Sequence, residues 1–414
     1  MSGRSSVFLD APGSRSALVA IAISQLLALS LWFSASAVAP QLEIAWGLDI
    51  GQVSSLTTMV QIGFVVGALA IAFSNLADAI PSRRLFVISA VVGAVVNLSL
   101  VTVTEESYAL ALAARFITGV ALAGVYPSGL KAMAGWFERG RGMAVGVLVG
   151  ALTLGSASPH LVSGLGLDWR QVVVAATLAA IGGAAVMAFA VEDGPFETKA
   201  NPFDIRLVGA VVRNREFRYA TVGYLGHMWE LYAFWTWTAA FLAASATMSP
   251  SLGYGDVSTL TFAVIAIGSL GSWLAGVVSD RFGRRVAAGG AMAVSGGIAL
   301  SSPLLFGRSA WVVVPVFLLW GLTVVADSAQ FSVMVTEVTR PSVRGTALTL
   351  QTSLGFLLTL GSIRLVPAIA ETVGWRWSFW ILAIGPMVGV WAMYRARPVG
   401  ETSSPDLRGS SATA

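Results

Sequence analysis

The segment GHMWELYAFW, residues 226–235, places His227 and Glu230 three positions apart in a run of glycine, aromatic and aliphatic residues. Burial in an apolar helix disfavours the charged form of a carboxyl group, so Glu230 could bind and release a proton near neutral pH. An adjacent imidazole could share that proton. On a helix the two side chains are roughly 60° apart and can face one cavity. We therefore expect His227 and Glu230 to form a proton-coupling site, with Asp327 as the second candidate.

Further ionisable residues lie within apolar stretches, where a charge is costly and usually functional. We predict that Arg115 and Arg364, together with His160, supply positive potential to a cavity that is otherwise poor in charge. Such a cavity favours an anionic substrate, for example a small carboxylate. Two alternatives remain open. Either arginine could extend to the outer membrane interface, and Asp327 could form an ion pair that only orders the helices.

Aromatic residues provide the second set of candidate contacts. Trp32, Tyr232 and Trp235 could line a substrate cavity, where ring faces and the indole and phenol groups meet a ligand. Trp32 lies in the first apolar segment and the other two lie in the seventh. A site between these segments would therefore be formed by both halves of the chain. The alternative is that these rings only pack helices together.

The composition indicates where these residues must lie. The chain has 414 residues, 56% of them hydrophobic and only 11% charged, whereas soluble domains carry about 25% charged residues. Apolar runs of about 20 residues can cross a membrane as helices. We predict twelve spans, near residues 17–39, 51–73, 85–104, 108–130, 143–164, 171–191, 217–245, 257–279, 286–306, 311–336, 346–370 and 377–394. This is an all-α membrane protein rather than a β-barrel, because no segment alternates with period two.

The positive residues predict the orientation of these spans. Loops on one face collect most of the lysines and arginines, and the other face receives only Arg170, Arg308 and Arg376. The basic face should be cytoplasmic, which places both termini inside and makes this a multi-pass protein of the cell inner membrane. The sequence SASAVAP, residues 34–40, resembles a signal-peptidase site. Because the apolar run 17–39 is longer than a typical signal core, we expect it to be retained.

The segment order divides the chain into five parts. We expect a cytoplasmic N-terminus (1–16), a six-helix bundle (17–191), a cytoplasmic linker (192–216), a second six-helix bundle (217–394) and a disordered Ser-rich tail (395–414). The two bundles repeat each other. Asp78 and Asp280 are 202 positions apart, and the Arg141-Gly142 and Arg344-Gly345 pairs are 203 apart. Six-helix halves related by an internal repeat are typical of secondary transporters, whose substrate sites lie between the halves.

The loop GVVSDRFGRR, residues 276–285, resembles the loop signature G-x-L-a-D-R-x-G-R-R of the major facilitator superfamily. SNLADAIPSRR, residues 74–84, is its weaker first copy, and RFITG, residues 115–119, is similar to a second signature of that family. The resemblance implies twelve helices in two bundles related by a pseudo-two-fold axis. It also implies that charged loop residues hold the cytoplasmic side shut; the candidates for this gating role are Asp78, Arg83, Asp280, Arg281, Arg284 and Arg285.

Several functions are disfavoured. The chain has no cysteine for thiol chemistry, no G-x-x-x-x-G-K-[ST] loop to couple ATP hydrolysis, and no cluster with metal-ligand spacing. We expect no enzyme activity, cofactor or metal, and the basic residues are too dispersed to suggest a nucleic-acid partner. GVLVGALTLGSASPHLVSG, residues 146–164, lacks the proline of the glycine-proline signature carried by antiporters of the family, which makes drug export less favoured.

The sequence thus predicts a monomeric, proton-coupled secondary active transporter that works by alternating access. Its partners would be a small solute, protons and the lipid bilayer. A symporter of a small organic or inorganic anion is favoured. The alternatives are proton-antiport export of an amphipathic drug or metabolite and, less favoured, a sensor that has a transporter fold but does not transport.

Overall fold

The computed structural model describes residues 11–74, 76–137, 141–196, 204–248 and 256–396, and in these ranges every regular element is helical. In chain order the α-helices are α1 (Ser14–Leu29), α2 (Ala39–Trp46), α3 (Ile50–Phe73), α4 (Leu76–Ala79), α5 (Ser82–Ser99), α6 (Tyr108–Ala134), α7 (Arg141–Gly164), α8 (Trp169–Ala190), α9 (Val208–Arg213), α10 (Arg215–Thr247), α11 (Val257–Ala266), α12 (Gly268–Phe282), α13 (Arg284–Leu305), α14 (Ala310–Ala326), α15 (Ser328–Val338), α16 (Arg344–Val373) and α17 (Ile384–Arg395).

Ten helical segments within these ranges are long and apolar enough to cross a membrane. They account for all the expected spans except the first and the seventh, which fall on α1 and α10. Helix α1 is a shorter apolar helix of 16 residues. Helix α10 is long, at 33 residues, but it carries several charged residues near its start.

The first expected span is wrong as a continuous helix. Helix α1 ends at Leu29, residues 30–35 form turns, and a short 3₁₀ helix (Ser36–Val38) leads into α2. Two further spans are interrupted at a single residue. The eighth is divided into α11 and α12 at Ile267, and the tenth is divided into α14 and α15 at Asp327.

Helices α1, α3, α5, α6, α7 and α8 pack against one another, and so do helices α10 to α17. Helix α3 meets α16, and α7 meets α11 and α12, between these two sets. The predicted repeat maps the second and fifth spans onto the eighth and eleventh. The contact of α3 with α16 is therefore the counterpart of the contact of α7 with α11 and α12.

Glycines make equivalent close crossings in the two sets. A Cβ atom added at Gly119 would overlap the carbonyl oxygen of Val60, and one added at Gly321 would overlap that of Val264. Gly183 lies against the carbonyl of Ser24, and Gly385 lies against that of Gly226. Gly183 and Gly385 are 202 positions apart, and so are their partners Ser24 and Gly226. Small residues of this kind let membrane helices approach closely.

The repeated loop also makes one contact twice. Arg83 Nη1 donates to the carbonyl of Val191 at 2.9 Å, and Arg285 Nε donates to the carbonyl of Met393 at 2.9 Å. In each case an arginine at the start of one helix satisfies a carbonyl at the end of another. The donors are 202 positions apart, and so are the acceptors. The repeat predicted from sequence is thus present in side-chain contacts as well as in helix order.

Candidate functional site

A cavity of about 390 Å³ lies between the two sets of helices. At one end it is lined by Trp32, Phe64, Tyr232 and Phe356. At the other end it reaches helix-end residues such as Ala72, Lys131 and Gly345, which lie on the face that the sequence predicts to be cytoplasmic. A pocket of this size encloses a small organic molecule.

The closed end of the cavity is a cluster of aromatic rings. The Trp32 ring stacks on Phe356 with centroids 5.6 Å apart, and it lies 5.1 Å from Phe64 and 5.7 Å from Tyr232. Trp32 comes from the break after α1, whereas Tyr232 and Phe356 come from α10 and α16 of the second set. Both sets of helices therefore contribute to this wall; Trp32, Tyr232 and Trp235 all line the cavity, and their contact with a substrate stays a prediction.

Four polar atoms on cavity-lining residues make neither a hydrogen bond nor an ion-pair contact with any other described residue. They are Trp32 Nε1, Trp235 Nε1, His227 Nε2 and Ser353 Oγ, and each side chain is buried. Buried polar groups are normally satisfied. The two indole groups can only donate, so they are complementary to oxygen or nitrogen acceptors on a ligand.

His227 pairs with an acid, but the acid is not the predicted one. Its Nδ1 lies 2.7 Å from Asp327 Oδ1, and both side chains are almost fully buried. Asp327 occupies the break between α14 and α15, so its side chain comes from a helix end rather than from the middle of a continuous helix. If Nδ1–H donates to Asp327, then Nε2 is an acceptor in neutral histidine and a donor in protonated histidine.

Glu230 does not share the cavity with His227. Its Oε1 accepts from Trp320 Nε1 at 2.7 Å and its Oε2 accepts from Ser295 Oγ at 2.8 Å. These partners lie on α14 and α13, and Glu230 is not among the described residues that line the cavity. The expected joint face of His227 and Glu230 is therefore wrong in this structure. Both oxygens of Glu230 are engaged in joining α10 to its neighbours.

Arg115 is fully buried, but it also does not line the cavity in the described part of the chain. Its Nη2 donates to the carbonyl of Trp32 at 2.7 Å and to that of Leu31 at 3.2 Å. Its Nη1 reaches Leu31, Ser34 Oγ and Asn97 Oδ1 at 3.1–3.2 Å. The guanidinium group thus binds carbonyls of the turns that follow α1, which lie outside the hydrogen-bond ladder of that helix. The predicted contact with substrate is replaced by support for the segment that holds Trp32.

Comparison with known proteins identifies the fold. The sequence model of the Major Facilitator Superfamily matches residues 21–362. The chain belongs to this superfamily. A mutant of the nucleoside transporter NupG, known from its crystal structure, is similar in fold with a TM-score of 0.67 and 16% identity; the match covers 92% of this chain and 99% of NupG. No curated protein sequence matches the chain.

The loops that resemble the superfamily signature make contacts within each set of helices. Arg284 Nε donates to Glu337 Oε1 at 2.8 Å, and Arg285 binds the end of α17. Arg281 lies 5.3 Å above the ring of Phe282, and Asp280 is exposed. The side chain of Asp78 is outside the described part of the structure. A latch between the two halves stays a prediction for these residues.

The remaining candidate cations, Arg364 and His160, are not among the described residues that line the cavity. Arg364 lines a separate outer cleft between the start of α3 and the end of α16, together with Ser54 and Glu371. His160 is fully buried in α7, and neither of its ring nitrogens bonds another described residue. It is not among the described residues of the cavity. Within the described lining, Lys131 and His227 are the residues that can carry positive charge.

The sequence did not predict three of the residues that line the central cavity. Phe64 and Phe356 are part of its aromatic wall, and Ser353 supplies an unsatisfied hydroxyl group. The spacing of Ser353 and Phe356 in α16 puts them on one helix face. That face also carries Thr349 and Thr352, which line the same cavity. In the sequence, this row of polar residues along one face of an apolar helix was the signal that could have indicated a cavity wall.

Proposed function

We propose that the chain is a proton-coupled secondary transporter that moves a small organic solute across the cytoplasmic membrane by alternating access. In this proposal it has twelve spans, with bundles at 17–191 and 217–394, a linker at 192–216 and both termini in the cytoplasm. It works as a monomer. The observation that carries the proposal is the central cavity lined by both halves, with the His227–Asp327 pair in or beside its wall.

The pair offers a direct link between protons and solute. A proton on His227 would convert Nε2 from an acceptor to a donor while Nδ1 stays with Asp327. A solute that presents an acceptor to Nε2 would then bind the protonated carrier more tightly. By reciprocity, the bound solute would increase the affinity of the carrier for the proton. Glu230 is a second candidate, although both of its oxygens already accept hydrogen bonds.

The expected anion preference loses its main support, because Arg115, Arg364 and His160 are not among the described residues that line the cavity. We propose instead a flat organic solute with several hydrogen-bond acceptors. The aromatic wall would contact its faces, and Trp32, Trp235 and Ser353 would donate to its edges. Nucleosides, the solutes of the nucleoside transporter NupG, have this combination and belong in a test panel.

Export of an amphipathic compound is the second candidate. The apolar and aromatic character of the wall favours it, since such surfaces accept many hydrophobic ligands. In that case the solute would leave the cell in exchange for protons (antiport), rather than enter together with them (symport). Both candidates use the same cavity and the same coupling pair.

The test is a panel of nucleosides, aromatic carboxylates, saturated sugars and lipophilic cations, measured first by thermal stabilisation of the purified protein. Ligands that stabilise it are then added to proteoliposomes that contain a pH-sensitive dye. We expect flat acceptor-bearing solutes to stabilise the protein and to move protons. If none of the panel produces solute-dependent flux or counterflow while binding is retained, a sensor explains the protein better than a carrier.

A further inference from the structure

Because of the internal repeat, each helix end in the second half can be compared with the equivalent helix end in the first half. The ends of α8 and α17 are equivalent, because Arg83 and Arg285 bind them at positions 202 residues apart. The packing of α1 on α8 and of α10 on α17 has the same offset, through Gly183 with Ser24 and Gly385 with Gly226. Each feature at one of these helix ends therefore has a defined counterpart in the other half.

The start of α10 and the end of α17 form a basic and aromatic surface. The Arg215 guanidinium lies 5.5 Å above the Tyr219 ring, and that ring makes an edge contact with Trp391 at 6.0 Å. Arg218 is one turn from Arg215 on the same helix face, and Arg395 ends α17. We refer to Arg215, Arg218, Tyr219, Trp391 and Arg395 as the α10–α17 patch. All three of its arginines are exposed.

The equivalent positions in the first half carry neither the arginines nor the tyrosine and tryptophan of the patch. At an offset of 202, the three arginines Arg215, Arg218 and Arg395 correspond to Gly13, Ser16 and Asp193. Tyr219 and Trp391 correspond to Ala17 and Phe189. The shared fold is therefore built without these residues in one half. The patch is an addition to the second half, and the acidic Glu216, which lies between Arg215 and Arg218 in the sequence, offsets only one of its three positive charges.

The surface beside the patch is apolar and faces outward. Along α17, Ile384, Met387, Val388 and Trp391 expose between 45% and 62% of their surface, and Tyr394 exposes 82%. In a membrane protein such a surface contacts acyl chains, while tyrosine and tryptophan lie at the level of the headgroups. A ligand that occupies both regions needs an anionic head and a hydrocarbon tail.

We propose that the α10–α17 patch binds the headgroup of an anionic phospholipid, whose acyl chains lie along α17. Arginine forks match phosphate oxygens, and basic pockets between membrane helices bind such headgroups. A free phosphate would use the arginines but not the apolar surface of α17. The site lies on the outside of the second bundle, away from the central cavity, so it is independent of the identity of the solute.

Native mass spectrometry in mild detergent tests the proposal. The full-length protein is titrated with a mixture of phosphatidylglycerol and phosphatidylcholine, and the variant Arg215→Gln/Arg218→Gln/Arg395→Gln is compared with Arg15→Gln/Arg84→Gln/Arg340→Gln. The second variant removes the same charge at exposed arginines elsewhere. We expect the wild type to prefer phosphatidylglycerol, the patch variant to lose that preference by about tenfold, and the control to retain it.

Equal losses in the two variants would overturn the proposal, because the binding would then depend only on overall charge. The proposal would also be overturned if the wild-type protein bound phosphatidylglycerol and phosphatidylcholine equally well. If the triple variant does not fold, each single substitution replaces it and should weaken retention by itself. Soluble glycerol phosphate is the remaining arm: if it displaces the lipid at equal concentration, the acyl-chain contact is wrong and the site is a phosphate site.

Discussion

His227 Nδ1 lies 2.7 Å from Asp327 Oδ1, although the two residues are 100 positions apart and belong to helices α10 and the α14–α15 break. The contact joins a residue of the cavity wall to an acid that is almost fully buried. It also orients the imidazole, because Nδ1 is in ion-pair contact with Asp327, whereas Nε2 makes no hydrogen bond to a described residue. The pair therefore holds an imidazole group in a fixed orientation in the wall of the central cavity.

Arg115→Lys should destabilise the protein. A lysine cannot reproduce the two-pronged contact with the carbonyls of Leu31 and Trp32, and unsatisfied buried acceptors cost roughly 1–3 kcal/mol. We expect a lower unfolding temperature in detergent. Arg364→Lys is the matched control, because Arg364 is exposed and should change stability by less than about 0.5 kcal/mol. Equal unfolding temperatures for the two variants would contradict the supporting role of Arg115.

Gly119→Ala and Gly321→Ala should both destabilise the fold. The added Cβ would overlap the carbonyl oxygens of Val60 and Val264, and overpacking of this kind costs about 1–3 kcal/mol or more. Gly290→Ala, also in a helix, meets nothing within 4 Å and should be neutral or slightly stabilising. Thermal unfolding measures all three. If only one of Gly119→Ala and Gly321→Ala lowered the unfolding temperature, the two crossings would not be equivalent.

Gly164→Ala should weaken closure at the outer end of the cavity. Gly164 ends α7 and lies against Thr259 and Asp256 at the start of α11, so a Cβ would wedge the two halves apart. The chain has no cysteine, and Ser353→Cys would report access to the cavity. An impermeant maleimide should label this cysteine from the inner side in the parent protein and from both sides with Gly164→Ala. Gly146→Ala, in an open position of α7, should leave labelling unchanged; unchanged labelling with Gly164→Ala as well would refute the wedge.

Trp235→Phe should weaken solute binding while the ring contact is kept. The indole Nε1 of Trp235 bonds no other described residue and lines the cavity. Loss of one hydrogen bond to a ligand weakens affinity by roughly three- to tenfold. In Trp229→Phe the lost bond is to the carbonyl of Ile381, which concerns helix packing. Calorimetric titration with a solute from the panel should therefore separate the two variants, and equal affinities would argue against donation from Trp235.

The all-helical membrane fold of the superfamily and its internal repeat could be predicted from the sequence because their signals are long and repeated. The apolar runs and the charged loop residues repeated at offsets of 202 and 203 involve many positions, and the glycine crossings and the arginine contacts at the helix ends confirm that repeat. The site depends on the rotation of single helices, which spacing does not determine. Three residues apart on one helix, His227 and Glu230 still face different neighbours, because Trp320 and Ser295 supply donors to one and Asp327 lies beside the other.

The break after α1 shows a second limit. Residues 30–35, SLWFSA, contain neither glycine nor proline and would extend a helix on local preference alone. The turns are stabilised from a distance by Arg115 of α6, which was interpreted from sequence as a substrate contact. A buried arginine with no acidic residue near it in the sequence can either contact a substrate or support the backbone. Only the positions of the nearby carbonyl groups in the structure distinguish the two roles.

The central claim is tested most directly in proteoliposomes with Asp327→Asn and Glu230→Gln, each assayed for pH-driven accumulation and for counterflow of one solute. Asparagine keeps the shape of Asp327 but cannot stabilise a protonated His227. We predict that Asp327→Asn abolishes uphill accumulation and retains counterflow, whereas Glu230→Gln retains more of the accumulation. Full pH-driven accumulation by Asp327→Asn would contradict the assignment of His227 and Asp327 as the coupling pair.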